Sequence, residues 1–376
     1  MRIAVNTRLL LKDKLEGIGW YTFETLSRIV AQHPEHEFYF LFDRDYSKEF
    51  VFSKNVRPIV INPPTRHPVL WYIWFELRLP KVFKDLKIDL FLSPDGFLSL
   101  SSKTPSIAVI HDINFEHHPK DLKFSHSKFY RLFFKKYAHK ASRIVTVSDY
   151  SKQDISKTYN IPLSKIDISL NGVNNYFHPI GLQKQLDARK KYSEGKDYFL
   201  FVGALHPRKN IKRLLNSFDQ FKSATNSSNK LLIVGAKMWW NDELKSCIDQ
   251  LTNKNDVIFT GRKSLEELNT LYSSAIAFCF VPYFEGFGIP IIEAMKCGCP
   301  VITSKCTAMP EVAGKAALLV NPLDVNEITD AMIKLNSNSD LRAELSERGQ
   351  IHSQKFSWNA TADALWRSIE KVLQEC

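Results

Sequence analysis

Apolar residues recur along this chain in two rhythms, short near-continuous runs and longer stretches in which they return every third or fourth position. The runs predict buried strands at residues 2–6, 37–42, 57–61, 89–93, 106–110, 144–147 and 165–170. After a break in periodicity, a second series follows at 198–203, 231–234, 257–260, 275–281, 300–303 and 317–320. Between them the longer period predicts helices. One starts at about Trp20 and runs to Gln32, one covers 124–140, one puts Ile211, Leu214, Leu215 and Phe218 on a single face, and the last covers 358–374. Ser148 is placed as a helix N-cap, and Ser264 with Glu267 as a capping box. Strand alternating with helix means α/β architecture with parallel sheets covered on both faces.

The chain has 376 residues, more than one compact core holds, so the two series are read as two Rossmann-like domains. The predicted organisation is a first domain over 1–180 and a second over 197–355. A terminal segment follows at 356–376. The charged run 184–196, following N-G-V-N-N-Y-F-H-P, is read as the linker. A composition of 44% hydrophobic and 24% charged residues excludes a disordered chain. The net charge of +11 asks for a polyanionic partner without choosing among nucleic acid, an acidic membrane surface and phosphorylated ligands. Residues 1–10 carry no cleavable signal pattern and no run is long enough to span a bilayer, so the expected location is the cytoplasm. The six cysteines lack metal-site spacing and are read as reduced core residues, and no metal is expected.

Two segments mix rings with cations. They are 71–83 and the 124–140 helix, which sets Phe129, Tyr130, Phe133, Phe134 and Tyr137 among Lys128, Arg131, Lys135, Lys136 and Lys140. Two readings stand open for them: a surface for membrane or nucleic acid, or core helices whose lysines snorkel.

The densest chemistry lies at 281–300, V-P-Y-F-E-G-F-G-I-P-I-I-E-A-M-K-C-G-C-P. An apolar strand enters a loop with Glu285. Pro290 then opens a helix over 289–297, and Gly298 ends it in the left-handed region. Backbone N–H groups of Gly286, Phe287, Gly288 and Ile289 are predicted to be unpaired and to favour an anion. Glu285 and Glu293 flank them as acceptors for hydroxyl groups. Taken singly, Glu285 is an ordinary cap and Glu293 an ordinary solvated carboxylate. Upstream, Arg208 and Lys209 follow the first strand of the second series, where two cations can take charge from a diphosphate. Gly261 and Arg262 sit in a loop able to read a nucleobase edge. Near the amino terminus Gly17 and Gly19 separate the first strand from its helix, and His111 closes the strand at 106–110.

The blocks V-G-A-L-H-P-R-K-N-I, F-T-G, E-G-F-G-I-P-I-I-E-A-M-K-C-G-C-P-V-I and P-V-I-T-S resemble the family-4 retaining glycosyltransferases, closest in wording to the mannosyl- and rhamnosyltransferase branch. The resemblance implies the GT-B fold, two Rossmann-like domains facing each other across a cleft, with the terminal helix crossing back to the first. It implies that Arg208 and Lys209 hold a donor pyrophosphate and that Glu285 contacts the transferred sugar beside the N–H groups of Gly286, Phe287 and Gly288. Glu293 would bind ribose, and Gly203, Gly261 and Arg262 would complete donor binding. His111 would stand beside the reacting sugar, and Gly17 and Gly19 near the phosphates. Here the chain departs from the family, whose glycine run is often fuller than Glu16-Gly17-Ile18-Gly19. The implied reaction is a metal-independent, cofactor-free hexosyl transfer from a nucleotide sugar, GDP-mannose first, to a saccharide or lipid-linked saccharide. It leaves nucleic acid no role and makes an anionic membrane surface a candidate partner. A UDP-sugar donor and a non-catalytic basic module are the rival readings.

Overall fold

The computed structural model describes residues 1–236 and 242–374. They form two compact units, Met1–Gly172 with the last helix Trp358–Gln374, and Val173–Ser357.

In the first unit, seven parallel strands make one sheet: β1 Arg2–Asn6, β2 Glu37–Phe42, β3 Val56–Val60, β4 Leu90–Ser93, β5 Ser106–Val109, β6 Arg143–Thr146 and β7 Ile166–Ile168. Their order is β3-β2-β1-β4-β5-β6-β7. The chain builds outward from β1 to one edge and then returns to build the other, so the order reverses between β1 and β4. A crevice opens at such a point beyond the carboxyl ends of the strands. The central strands are buried along almost their whole length, as the continuous apolar runs require.

The second unit repeats the plan with six parallel strands: β8 Tyr198–Val202, β9 Lys230–Val234, β10 Val257–Gly261, β11 Ala277–Phe280, β12 Val301–Ser304 and β13 Ala317–Val320. The order β10-β9-β8-β11-β12-β13 reverses between β8 and β11. Ala277 pairs with Phe199 and Phe278 with Leu200, which brings the loops leaving both strands to one end of the sheet. Ser264 and Glu267 form the capping box, and Ser148 caps its helix by accepting from Ser151 N–H at 3.0 Å.

Two expectations are corrected, and one question left open is narrowed. The run 184–196 is largely the helix Leu182–Ser193 of the second unit. Ala188 is buried, the Tyr192 hydroxyl donates to Glu267 at 2.8 Å, Arg189 Nε donates to the Ser274 carbonyl at 3.1 Å, and Lys184, Asp187, Lys190 and Lys191 face solvent. The first helix begins at Gly17, so Gly17 and Gly19 lie in its opening turn instead of a preceding loop. Glycine costs little there, because the first turn lacks intrahelical acceptors for its N–H groups in any case. The ring-rich segments are core on one side. Trp71, Trp74, Phe75 and Phe83 are buried, as are Phe129, Phe134 and Tyr137, while Lys128, Lys135 and Lys136 stay exposed. Among the described residues no helix is long and apolar enough to cross a membrane.

Candidate active site

At the reversal point of the second sheet, the loop after β8 turns through a short 3-10 segment, Pro207–Lys209. His206 Nδ1 accepts from Arg208 N–H at 3.3 Å and shapes the turn. Asn210 follows with φ +63° and is buried, its Nδ2 donating to the carbonyls of Val281 at 3.0 Å and Pro322 at 2.6 Å. Tyr283 N–H donates to the Arg208 carbonyl at 3.1 Å. Two polar ties thus lash the loop after β8 to the loop after β11. The consequence is geometric: Arg208, Lys209 and Glu285, 76 positions apart in sequence, meet.

Glu285 Oε1 lies 3.3 Å from Arg208 Nη1, and its Oε2 takes Lys209 Nζ. All three side chains are largely buried, and Lys209 Nζ also lies 4.7 Å from the centre of the Phe280 ring. Two cations thus meet one carboxylate in surroundings of low polarity, and cations so placed can hold an anion. Beside it Gly288, with φ +94°, precedes the helix Ile289–Lys296, and a Cβ there would come within 3.1 Å of Met309. Among the described residues, the N–H groups of Phe287 and Gly288 have no acceptor. Gly286, also in the predicted set, takes part in an interaction of its own.

Glu293 lies one turn into this helix, half-buried, and Oε2 accepts from the buried Tyr272 hydroxyl at 3.0 Å. Burial pushes its carboxyl up to about 7, against the opposing pull of that hydroxyl. Gly203, Gly261 and Arg262 stand at the carboxyl ends of β8 and β10, Arg262 exposed. Gly235, absent from the predicted set, closes β9 beside them with φ +151°. A Cβ at Gly235 would lie 1.9 Å from the Gly203 carbonyl oxygen, and its N–H donates to the Gly261 carbonyl at 3.0 Å. The signal was present, since V-G ends both β8 and β9.

In the first unit, His111 follows β5. Its Nε2 lies 2.9 Å from the Pro94 carbonyl, which can only accept, so Nε2 carries the proton and Nδ1 is the acceptor. Burial holds the imidazole below its ordinary value, outweighing the Pro94 carbonyl, Asp112 and Asp95. The ring stands edge-on to Tyr21 at 4.9 Å. A second polar group was missed at the reversal point between β1 and β4. Asp95 Oδ2 takes Arg8 Nε at 2.6 Å and its Oδ1 takes Asn6 Nδ2 at 2.8 Å, all three residues buried. The Arg8 guanidinium lies 4.2 Å from the Phe97 ring centre. Gly17 and Gly19 open the first helix, and a Cβ on Gly19 would come within 3.0 Å of the Leu9 carbonyl oxygen. Among the described residues no group of three or more His, Cys, Asp or Glu side chains gathers as a metal site.

Two family models divide the chain between them, "Glycosyltransferase Family 4" over residues 15–175 and "Glycosyl transferases group 1" over 183–352. The chain is also 30% identical over 310 residues to the O-antigen chain mannosyltransferase RfbU of Salmonella typhimurium, covering 78% of this chain and 82% of that one. The chain belongs to the family-4 glycosyltransferases. The O-antigen chain mannosyltransferase B of Escherichia coli is 26% identical over 371 residues, 94% of this transferase and 96% of the relative. Among solved structures, a sucrose-phosphate synthase from Thermosynechococcus elongatus superposes with a TM-score of 0.78 at 18% identity over the full length of both chains. The fold of this glycosyltransferase is therefore GT-B, and its substrates are a nucleotide-sugar donor and a saccharide acceptor.

Proposed function

We propose that this glycosyltransferase moves mannose from GDP-mannose to a saccharide or lipid-linked saccharide in surface polysaccharide assembly, with retention at the anomeric carbon and without a metal. One observation carries the assignment of the donor site: Arg208 and Lys209 converge on Glu285 at the reversal point of the second sheet. The mannosyl choice is supported by the relatives named above, both called mannosyltransferases.

In this reading the donor diphosphate displaces part of the ion pairing and takes the positive charge of Arg208 and Lys209, with N–H groups of Phe287 and Gly288 as further donors. Glu285 is then free to accept from sugar hydroxyls. Glu293 accepts from ribose, while Gly203, Gly261 and Arg262 border the base and phosphates. The sugar C1–O bond to the β-phosphate breaks as the acceptor oxygen bonds to C1 on the same face, and the acceptor proton passes to the departing phosphate oxygen. Fixed cations and amide donors stabilise the charge that builds on the leaving group, an effect worth about 3–4 kcal/mol per well-aimed donor. Two side-chain cations supply the charge neutralisation that a bound metal provides elsewhere, which supports metal independence. His111, neutral with Nδ1 as acceptor, orients a hydroxyl of the reacting sugar, and the opening turn at Gly17 and Gly19 contributes amide donors.

Lys209→Ala is expected to lower transfer about 100-fold or more while the thermal melt stays near that of the parent. Full activity in that variant would remove the diphosphate from this site. A melt panel with GDP, UDP and ADP tests the donor. Stabilisation by GDP above the others supports GDP-mannose, a UDP preference replaces it with a UDP-sugar, and no response to any nucleotide rejects the donor site. Transfer that persists in excess chelator supports the metal-free reading, and transfer abolished by it ends that reading.

A further inference from the structure

The transferase reading gives His111 a task and leaves the buried charges beside it without one. A buried ion pair is weak as a source of stability, since apolar volume in its place is often neutral. Here the pair is held from several sides. The Asp95 carboxylate accepts from Arg8 Nε at 2.6 Å, Asn6 Nδ2 at 2.8 Å, Ser93 Oγ at 3.0 Å and Phe97 N–H at 3.3 Å. Arg8 is fixed in turn: its Nη1 donates to Thr65 Oγ1 at 3.3 Å, and its guanidinium lies 4.2 Å and 5.3 Å from the ring centres of Phe97 and Phe75.

Asp95 shares a planar peptide unit with the Pro94 carbonyl, so anchoring Asp95 restricts where that carbonyl points. The turn they occupy is closed by Gly96 N–H, which donates to the Ser93 carbonyl at 3.2 Å. It is also pressed onto the end of β5, where a Cβ on Gly96 would come within 3.2 Å of the Val109 carbonyl oxygen. His111 follows two positions later and brings Nε2 to the Pro94 carbonyl at 2.9 Å. Ser151 Oγ donates to the His111 carbonyl at 3.2 Å and holds its backbone. We propose that Arg8 and Asp95 are positioning residues for His111: the pair fixes the Pro94 carbonyl, the carbonyl fixes the Nε2–H tautomer and the ring plane, and Nδ1 is thereby aimed as an acceptor. The bond made at one ring nitrogen sets the state of the other. Without it the proton can sit on Nδ1, where an acceptor is needed. The consequence for transfer rests on the reading of His111 given above, whereas the consequence for the ring does not.

Nuclear magnetic resonance and kinetics on the full chain test it together. Two-bond nitrogen–proton correlations of histidine-labelled protein read the tautomer, with the His111 signals identified by their loss in His111→Ala. The parent should show Nε2–H alone. Arg8→Met with Asp95→Ala removes both charges at once, so that neither is left buried alone. A population protonated on Nδ1 should appear in it, and kcat for GDP release from GDP-mannose should fall about tenfold or more with donor KM within about twofold. Ile29→Ala, in the core of the same unit, lowers stability without touching these ties and should leave tautomer and kcat parental. A parental tautomer in the double variant would overturn the proposal, as would the same shift in Ile29→Ala. So would an equal further loss of kcat when the double change is built on His111→Ala, because the effect would then bypass the imidazole. If the double variant does not fold, Arg8→Met with Asp95→Asn carries the same expectations. Should His111→Ala release GDP at the parental rate, or the parent release none, the transferase reading fails at that point and the tautomer alone decides the positioning role.

Discussion

Withdrawing water from the Glu293 carboxyl raises its proton affinity by more than the Tyr272 hydroxyl lowers it, and the group titrates near neutrality instead of near its ordinary 4.5. The folded chain therefore holds a proton there that the unfolded chain releases. Stability from this group is fully present below about 4.5 and is lost as pH rises through about 7. That difference corresponds to about 3–4 kcal/mol as an upper bound, and the carboxyl's partial exposure trims it. Glu293→Gln should flatten urea midpoints across that window, and a slope as steep as the parent's would show that Glu293 is not its source. Donor affinity should run the other way if the carboxylate binds ribose, rising with pH as the proton leaves. A different penalty attaches to Asp95. Asp95→Asn leaves the buried Arg8 guanidinium without its counter-charge, which costs about 3–5 kcal/mol in comparable pairs. Adding Arg8→Met should recover much of that loss, because a buried pair replaced by apolar volume is often neutral. Denaturation followed by the fluorescence of Trp71 and Trp74, both close to Arg8 or its neighbours, would register both changes.

Loops, more than strands, decide whether these elements form a site. Gly235 is the tightest example: its Cβ direction points at the Gly203 carbonyl oxygen, and its φ of +151° is open to glycine alone at low cost. Gly235→Ala should therefore cost more than about 2 kcal/mol, combining backbone strain with the forced separation of the β8 and β9 loops. A melt within two degrees of the parent would refute the close approach. The strands themselves were legible because burial on both faces writes itself as unbroken apolar runs: 2–6 coincides with β1, and 231–234 lies within the fully buried β9. Capping was legible for a similar reason, since Ser148, Ser264 and Glu267 act on neighbours within a turn. Glu285 could be singled out by its motif, but its ion pairs depend on Asn210 bridging to Val281 and Pro322, contacts with no local trace. Arg8 and Asp95 were missed on the same ground, lying 87 positions apart and flanked by unremarkable loop residues. Charge density misled at 184–196, where solvated lysines on one side of a helix look in one dimension like a linker.

At the scale of the molecule, the chain leaves its first unit at Gly172, completes the second, and then supplies the first with the helix Trp358–Gln374. That helix is amphipathic in the ordinary sense. Trp358, Ala362, Leu365, Trp366, Ile369 and Val372 are buried, and Trp366 stacks on His33 with ring centres 3.6 Å apart. Polar ties fix its register along β7: Asp167 accepts from Lys371 Nζ at 2.9 Å and Ser368 Oγ at 3.0 Å while holding Arg143 Nε at 2.6 Å. Burial pushes the Asp167 carboxyl up, but Arg143, Lys371 and Ser368 outweigh it and set the carboxyl down to about 2. Burying six apolar side chains contributes roughly 10 kcal/mol, comparable to the whole net stability of a domain. A chain ending at Ser357 should therefore lose the first unit while keeping the second. Hydrogen exchange distinguishes the two directly: amides of β1 and β4 should exchange at the rate of unfolded chain, and those of β8 and β9 should keep parental protection. Protection retained in β1 would mean that the first sheet is stable without its last helix. Loss of protection in β8 as well would mean that the two units fold as one cooperative system.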